Sequence, residues 1–495
     1  MAIPKVMGTE IEFGITVKND RDFDPISSCV LLVNAYREEH DAKILWDYDQ
    51  ENPLADARGF QVEGEKYTPN QQENIARNKT LVNGARYYVD HAHPEYSCPE
   101  VTNPRDLVVH EKAGDLVLER SRKEANALLP EGAQMLIYKN NSDQKGNSYG
   151  SHENYLMDRR TSFKQIVEHL MPFFVTRQVY TGAGKVGSEN RAHPCDYQLA
   201  QRSDFFETEV ALDTMVKRPI INTRDEPHAD REKYRRLHVI VGDANMLEPT
   251  IFLRQGATAL VLSMIEDGAV KPSFALRDPV REIKEVSHDI SLQREVQLEN
   301  GKKMTAVQLQ REYCDLATSY VAQATDLHPS YKDVVEMWQR VLESLERDPM
   351  ELVSEIDWIA KKAMIEGFMD RKGLDWGSSQ VRLLDLQFHD LRPDKGLYYL
   401  LERQGRVKRL VSDEEIEAAV TEPPEDTRAY FRGQCLKRFA GEVFGVNWDS
   451  LSFGIGDEPI KRILMAEPLK GTKAHVDELL SSATTAAELV KRLRA

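Results

Sequence analysis

Two carboxylates, Glu10 and Glu12, stand two residues apart in the otherwise apolar segment GTEIEFG near the start of the chain. Val6 to Val17 alternates as a strand does, so both acidic side chains project from one face. Carboxylates held side by side repel. Such a pair persists either on a solvated edge strand or beside a cation that neutralises it, and hard oxygen donors select magnesium or manganese. The segment GARYYVDHAHPEYS repeats the pattern. Arg86, Tyr88 and Asp90 share one strand face while Tyr87 and Val89 take the other, and after the His93-Pro94 turn Glu95 adds a further carboxylate. An ion pair between Arg86 and Asp90 is the purely structural alternative.

At 495 residues the chain exceeds the size at which one hydrophobic core keeps growing, so a large domain with a smaller one is expected. The net charge of −16 argues against generic nucleic-acid or membrane-surface binding. Five widely spaced cysteines without a CxxC pair signal neither a disulfide framework nor a zinc ribbon. No uncharged apolar run approaches the roughly 18 residues of a membrane span. A cytoplasmic protein, neither exported nor anchored, is the expectation.

Pro25 to Arg37 reads as a short helix. From about residue 40 to 78 the chain has turn formers and scattered charge without a sustained period, which predicts a long loop. Trp46, Tyr48 and Phe60 are costly to leave in water, which favours a functional one. Strand-like stretches at ARYYVD, QMLIYKN, RLHVIVGDAN and VRLLDLQFHD alternate with helical patterns such as TSFKQIVEHLMPFFVTRQVY. The fold class expected is α+β with a broad sheet. Pro423-Pro424 breaks an acidic stretch and places a boundary there, giving a catalytic domain over 1–425 and a small C-terminal domain over 426–495.

Other polar residues gather at apparent strand ends: His152, Glu153 and Asn154 in GNSYGSHENY, and His238, Asp243 and Asn245 in RLHVIVGDAN. Arg202, Arg224 and Arg236 offer guanidinium forks that match phosphate oxygens, although each alone also suits a surface. The basic stretches Arg231–Arg236 and Arg403–Arg409 suit either an acidic partner or a solvated face. VYTGAGKVG is no P-loop, because Val179 and Val186 stand where glycine and a hydroxyl residue are required. His91-Ala92-His93 lacks the ligands that would complete a zinc set.

Taken in order, GTEIEFG, GARYYVDHAHPEYS, GNSYGSHENY, TGAGKV, RLHVIVGDAN and FGVNWDS resemble the family that contains the Pup ligase and the Pup deamidase/depupylase, over nearly the whole chain. The resemblance implies a glutamine-synthetase-like fold, in which a curved antiparallel β-sheet forms a cradle packed with helices and is followed by a small C-terminal domain. It implies Mg2+ and ATP, or ADP and phosphate, as cofactors. Glu10, Tyr88 and Glu95 match metal ligands, with Glu12, His152 and His238 as further metal contacts. Arg86, Ser97, Asn154 and Trp448 match nucleotide contacts, Ser97-Cys98 standing where the ligase has threonine. Asp90 matches the catalytic aspartate, as nucleophile or as general base. The segment WDYDQENPLADARGF and the motif DHAHPEYS resemble the deamidase branch, which implies hydrolysis of the amide at the C-terminal glutamine of Pup and of the Pup–lysine isopeptide bond, with Pup and pupylated proteins as partners. The alternative within the family is the ATP-dependent ligase.

Overall fold

The alternation in GTEIEFG is realised as strand β1 (Met7–Glu12), which buries Met7, Thr9 and Ile11 and turns Glu10 and Glu12 to the opposite face. The computed structural model describes residues 1–38, 43–49, 51–64, 68–214 and 216–493. Around β1 are β2 (Asn78–Thr80), β3 (Arg86–Asp90), β4 (His93–Ser97), β5 (Ser151–Asp158) and β6 (Tyr234–Val239). They form one six-stranded sheet in the order β6-β5-β1-β4-β3-β2, every neighbouring pair antiparallel.

One face of the sheet is covered. Helix α1 (Pro25–Ala35) packs on β3 and β4, α2 (Pro104–Asn126) on β1, and α4 (Glu248–Glu266) on β5, with α3 (Phe163–Thr181) beside α4. Ile11, Tyr87, Val89, Tyr96, Tyr155 and Leu237 point into this layer and are buried. Asn103 starts α2 by accepting from the backbone N–H groups of Arg105 and Asp106, and Pro104 occupies the first turn, where no intrahelical N–H bond is lost. The layer also holds ions. Glu153 on β5 pairs with Arg177 of α3 at 2.6 Å, and Arg254 of α4 pairs with Glu111 of α2 at 3.1 Å. Removing one member of such a buried pair costs about 3–5 kcal/mol, because the other charge stays behind unpaired.

Two expectations are corrected. VRLLDLQFHD is a helix, Ser379–Phe388, not a strand. Its buried residues are Val381, Asp385 and Phe388, spaced by four and three, and Ser378 caps its start. The apparent alternation arises because Leu383 is an exposed apolar side chain. The stretch from 40 to 78 is not a bare loop either. Leu45–Trp46 is a strand, Ala55–Asp56 and Phe60–Gln61 make a small hairpin, and Gln71–Arg77 is a helix capped by Asn70. Its start at His40 lies outside the described residues, as do 39, 41–42, 50 and 65–67.

The C-terminal stretch contains α5 (Ala429–Phe439) and strands β7 (Val443–Asn447), β8 (Ser450–Phe453) and β9 (Lys461–Leu464), followed by two short helices, Lys473–Ser482 and Ala486–Leu493. Its apolar cluster includes Phe431, Leu436, Val446, Leu451, Phe453, Leu480 and Leu489. Two residues from early in the chain, Trp46 and Val82, complete it. Leu45–Trp46 extends its sheet by pairing in parallel with β7. Among the described residues, no helix is long and apolar enough to cross a membrane.

Candidate active site

On the open face of the sheet, strand register brings the acidic positions into rows. Glu10 lies opposite His152 on β5 and Ser97 on β4. Glu12 lies opposite Glu95, which in turn faces Tyr88 on β3. Asn154 faces His238 on β6. The outcome is two clusters whose donor atoms lie within 4.8 Å of one another, Glu10 with His152 and His238, and Glu12 with Asp90 and Glu95.

The electrostatics of both clusters suit a cation. Glu10 Oε2 is 3.5 Å from His152 Nδ1 and 3.7 Å from His238 Nε2, while Asn154 donates to Glu10 Oε1 at 2.9 Å. Burial pushes the Glu10 carboxyl up, but His152, His238 and Arg236 outweigh it and hold the group well below its ordinary range. Burial drives His238 down, so its ring is neutral. His238 Nδ1 meets Asn222 Oδ1 at 3.2 Å, and its Nε2 is a buried atom without a hydrogen-bond partner. Glu95 shows the opposite imbalance: burial first, then the charges of Asp90, Glu12 and Glu10, push it well above the carboxylate range. An orphaned imidazole nitrogen next to one carboxylate, and a Glu95 carboxyl raised by three acidic neighbours, fit divalent ions held by oxygen and imidazole donors.

Asp90 ends β3 and is joined to β4 by the two-residue turn His91-Ala92, since Asp90 pairs with His93 across the hairpin. His91 has φ 50°, a left-handed backbone that costs a non-glycine residue about 1 kcal/mol or more. His91 Nδ1 lies 2.8 Å from Asp90 Oδ2. Burial alone would raise Asp90, yet this bond and the His91 charge bring it below its ordinary value. The carboxylate is therefore ionised and aimed by its neighbour.

Two cavities meet at Glu10. One, of about 1060 Å³, is lined by Glu12, Tyr88, Asp90, Glu95, His152 and His238, with Arg202, Arg218 and Arg224 on its wall. Arg202 is 2% exposed, and its burial and the adjacent Arg218 bring it down to about 10. Arg218 donates to the Ser148 carbonyl at 2.7 Å and the Thr214 carbonyl at 2.9 Å. The other cavity is lined by Ser97, Cys98, Asn154, Arg236, Arg428 and Trp448, with His228 among them. Cys98 Sγ accepts from the Thr9 N–H at 3.1 Å, so it is tied to β1.

Arg86 lines neither cavity. Its guanidinium is stacked between the rings of Tyr88, 3.9 Å away, and Trp46, 4.0 Å away, and donates to Tyr48 Oη at 3.0 Å and Asn78 Oδ1 at 3.1 Å. Trp448 packs edge-on against Trp46 at 5.4 Å. Of the basic stretches, Arg403–Arg409 contributes Arg409 to ion pairs with Glu248 and Glu402, whereas Arg236 of Arg231–Arg236 lies in the site. Sequence reasoning missed Arg218, His228 and Arg428, which sit in no motif; the left-handed φ of 45° at His228 has no sequence signature.

The family model described as Pup-ligase protein matches residues 5–452. The chain belongs to the Pup-ligase family. Among curated members, it is 49% identical to a protein named Depupylase from Acidothermus cellulolyticus and 47% identical to one named Pup deamidase/depupylase from Mycolicibacterium smegmatis, each alignment covering 99% of both chains. A Pup–protein ligase from Pseudarthrobacter chlorophenolicus is 42% identical, over 82% of this chain and 90% of that one. Among solved structures, the complex between Pup and its ligase PafA superposes with a TM-score of 0.82 at 34% identity, covering 97% of this chain and 92% of the other. The ligase in complex with ADP gives 0.75 at 36% identity, over 86% and 96%.

Proposed function

We propose that this chain is a Pup amidohydrolase, converting the side-chain amide of the C-terminal glutamine of Pup to glutamate and cleaving the isopeptide bond between Pup and the lysine of a tagged protein. The observation that carries the reading is the position of Asp90, ionised on the wall of the 1060 Å³ cavity and within 4.8 Å of the Glu12 and Glu95 donor atoms. Relatives named for depupylation or deamidation align over 99% of this chain, which favours hydrolysis over ligation. The five cysteines are unpaired, in keeping with work in the cytoplasm.

Both reactions are attacks on one kind of carbonyl. The Asp90 carboxylate either adds to the carbonyl carbon, giving an acyl-aspartyl anhydride that water then hydrolyses, or takes the proton of the water that adds; in both cases the C–N bond breaks and the amine leaves with a proton from water, as ammonia or as the lysine side chain. His91 holds the carboxylate in its ionised form and fixes its direction. Glu10, Glu12, Tyr88, Glu95, His152 and His238 would hold magnesium, and Ser97, Asn154 and Trp448 would contact the nucleotide. When bound there, magnesium with ATP, or with ADP and phosphate, supplies positive charge where the oxyanion develops. Amide hydrolysis is downhill in water, so the nucleotide serves as a bound group rather than as fuel. Arg202, Arg218 and Arg224 bring fixed positive charge to the same cavity, and Arg86, behind Tyr88, keeps that ring in place.

The test is ammonia release from glutamine-ended Pup with magnesium and nucleotide present. Asp90→Asn should lower turnover by about a hundredfold or more while nucleotide affinity stays near that of the parent. Undiminished turnover would remove Asp90 from the chemistry, and conjugate accumulating from glutamate-ended Pup would assign the ligase reaction instead.

A further inference from the structure

A third cavity, of about 530 Å³, lies away from the catalytic one. Two chain segments separate it from the nucleotide-side cavity: Glu100 and Arg428 line the latter, while Thr102 and Asp426, two residues along in each segment, line this one. Its charged and titratable lining is Asp106, His110, His328, Glu422, Glu425 and Asp426, and among the described residues no lysine or arginine lines it.

Asp106 and His110 are one turn apart and share a face of α2. His110 is 6% exposed, lines the cavity, and has no partner for its Nδ1. Burial brings it down to about 4, so the ring is neutral and cannot offset the acids around it. Asp426 accepts from Thr102 Oγ1 through one oxygen; its other oxygen, Oδ1, is buried without a partner. Burial of Asp426, reinforced by the nearby charge of Asp106, outweighs the Thr102 bond and raises its pKa. Glu422 and Glu425 are engaged outward, with Lys437 at 2.6 Å and Lys473 at 2.7 Å. His328 is turned to Ser330 Oγ at 2.8 Å.

Asp106 accepts from Asn103 Nδ2 at 2.8 Å through Oδ2, so the lining atoms left buried without a partner are Asp426 Oδ1 and His110 Nδ1. A buried acceptor left unpaired costs about 1–3 kcal/mol, so the arrangement calls for a donor. A bare metal ion does not suit it, because among the described residues the clusters whose donor atoms converge on a point are the two in the active site. We infer that this cavity binds an organic cation rich in N–H donors, an ammonium or guanidinium group carried either by a free polyamine or by a lysine or arginine side chain.

Calorimetric titration of the full-length protein tests this with two probes, spermidine and a capped Gly-Lys-Gly tripeptide. Saturable one-to-one binding of at least one probe is expected, weaker in high salt and weakened about tenfold by Asp106→Asn and by Asp426→Asn, the loss of one charge-assisted bond. Binding of spermidine alone identifies a free polyamine as the source; binding of the tripeptide identifies a protein-borne side chain. Asp106 lines neither active-site cavity, so its variant should keep the parent's nucleotide affinity. The inference is overturned if neither probe saturates at millimolar concentration, or if Asp106→Asn, folded as the parent, binds as the parent does.

Discussion

Glu100 fastens the C-terminal unit to the cradle, and replacing it by glutamine gives a quantitative test of that junction. Its Oε1 accepts from Arg428 Nε at 2.8 Å and Arg432 Nη1 at 3.1 Å, and Arg432 Nη2 reaches Oε2. Arg432 is 0% exposed and also donates to the Gly84 carbonyl at 2.9 Å and the Trp448 carbonyl at 3.0 Å. Burial would raise the Glu100 carboxyl, but the two guanidinium groups prevail and lower it from 4.5 to about 2. Such a displacement is worth about 3 kcal/mol. Glu100→Gln leaves Arg432 buried beside a neutral amide, so a loss of about 3–5 kcal/mol is expected at pH 7. Because the folded pKa is depressed, the stabilisation is complete above the unfolded value of 4.5 and drains away as pH falls towards 2. The difference between parent and variant should therefore shrink to about 2 kcal/mol at pH 3.5. Urea midpoints followed by tryptophan fluorescence measure it, since Trp46 and Trp448 belong to this junction. A cost below about 1 kcal/mol at pH 7, or one that does not change with pH, would refute the reasoning.

Further outcomes follow from close packing. A methyl group on Gly150 would sit 2.3 Å from His152 Nε2 and 2.7 Å from Glu12 Oε1; Gly150→Ala should weaken magnesium binding by about tenfold or more with little change in thermal midpoint, and unchanged affinity in a calorimetric titration would count against these residues as ligands. Trp46→Ala empties a buried site that touches both Arg86 and Trp448; a loss of about 3–5 kcal/mol and faster amide exchange in β7 are expected, and unaltered exchange there would show that Trp46 does not hold that sheet.

The acidic face that forms the candidate site was legible because a strand has a strict period of two. Once GTEIEFG and RYYVD are strands, Glu10 shares a strand face with Glu12, and Tyr88 with Asp90; that the two pairs lie on the same face of the sheet follows from their register with Glu95. Register is what brings His152 and His238 to Glu10, and it is fixed by pairings between distant segments. The Ser379–Phe388 helix was misread because a leucine on its exposed side imitates alternation. Arg218, Arg428 and Glu100 were invisible for a different reason: each is a single charge whose meaning comes from a partner far along the chain. The stretch from 40 to 78 resembled a loop because, among its described residues, the longest regular element is seven residues, and because much of the cluster that buries its main anchor, Trp46, lies beyond residue 430.

The parallel pairing of Leu45–Trp46 with β7 has a consequence for biosynthesis. Asn447 Nδ2 reaches the Asp47 carbonyl at 2.6 Å across 400 residues of sequence. At about 5–20 residues per second, Leu45–Trp46 waits roughly 20 to 80 s after leaving the ribosome before β7, its pairing partner, emerges. Throughout that interval the strand edge that pairs with β7 and the side of the ring that meets Trp448 lack their native cover, which exposes an apolar, unpaired edge of the kind that chaperones hold.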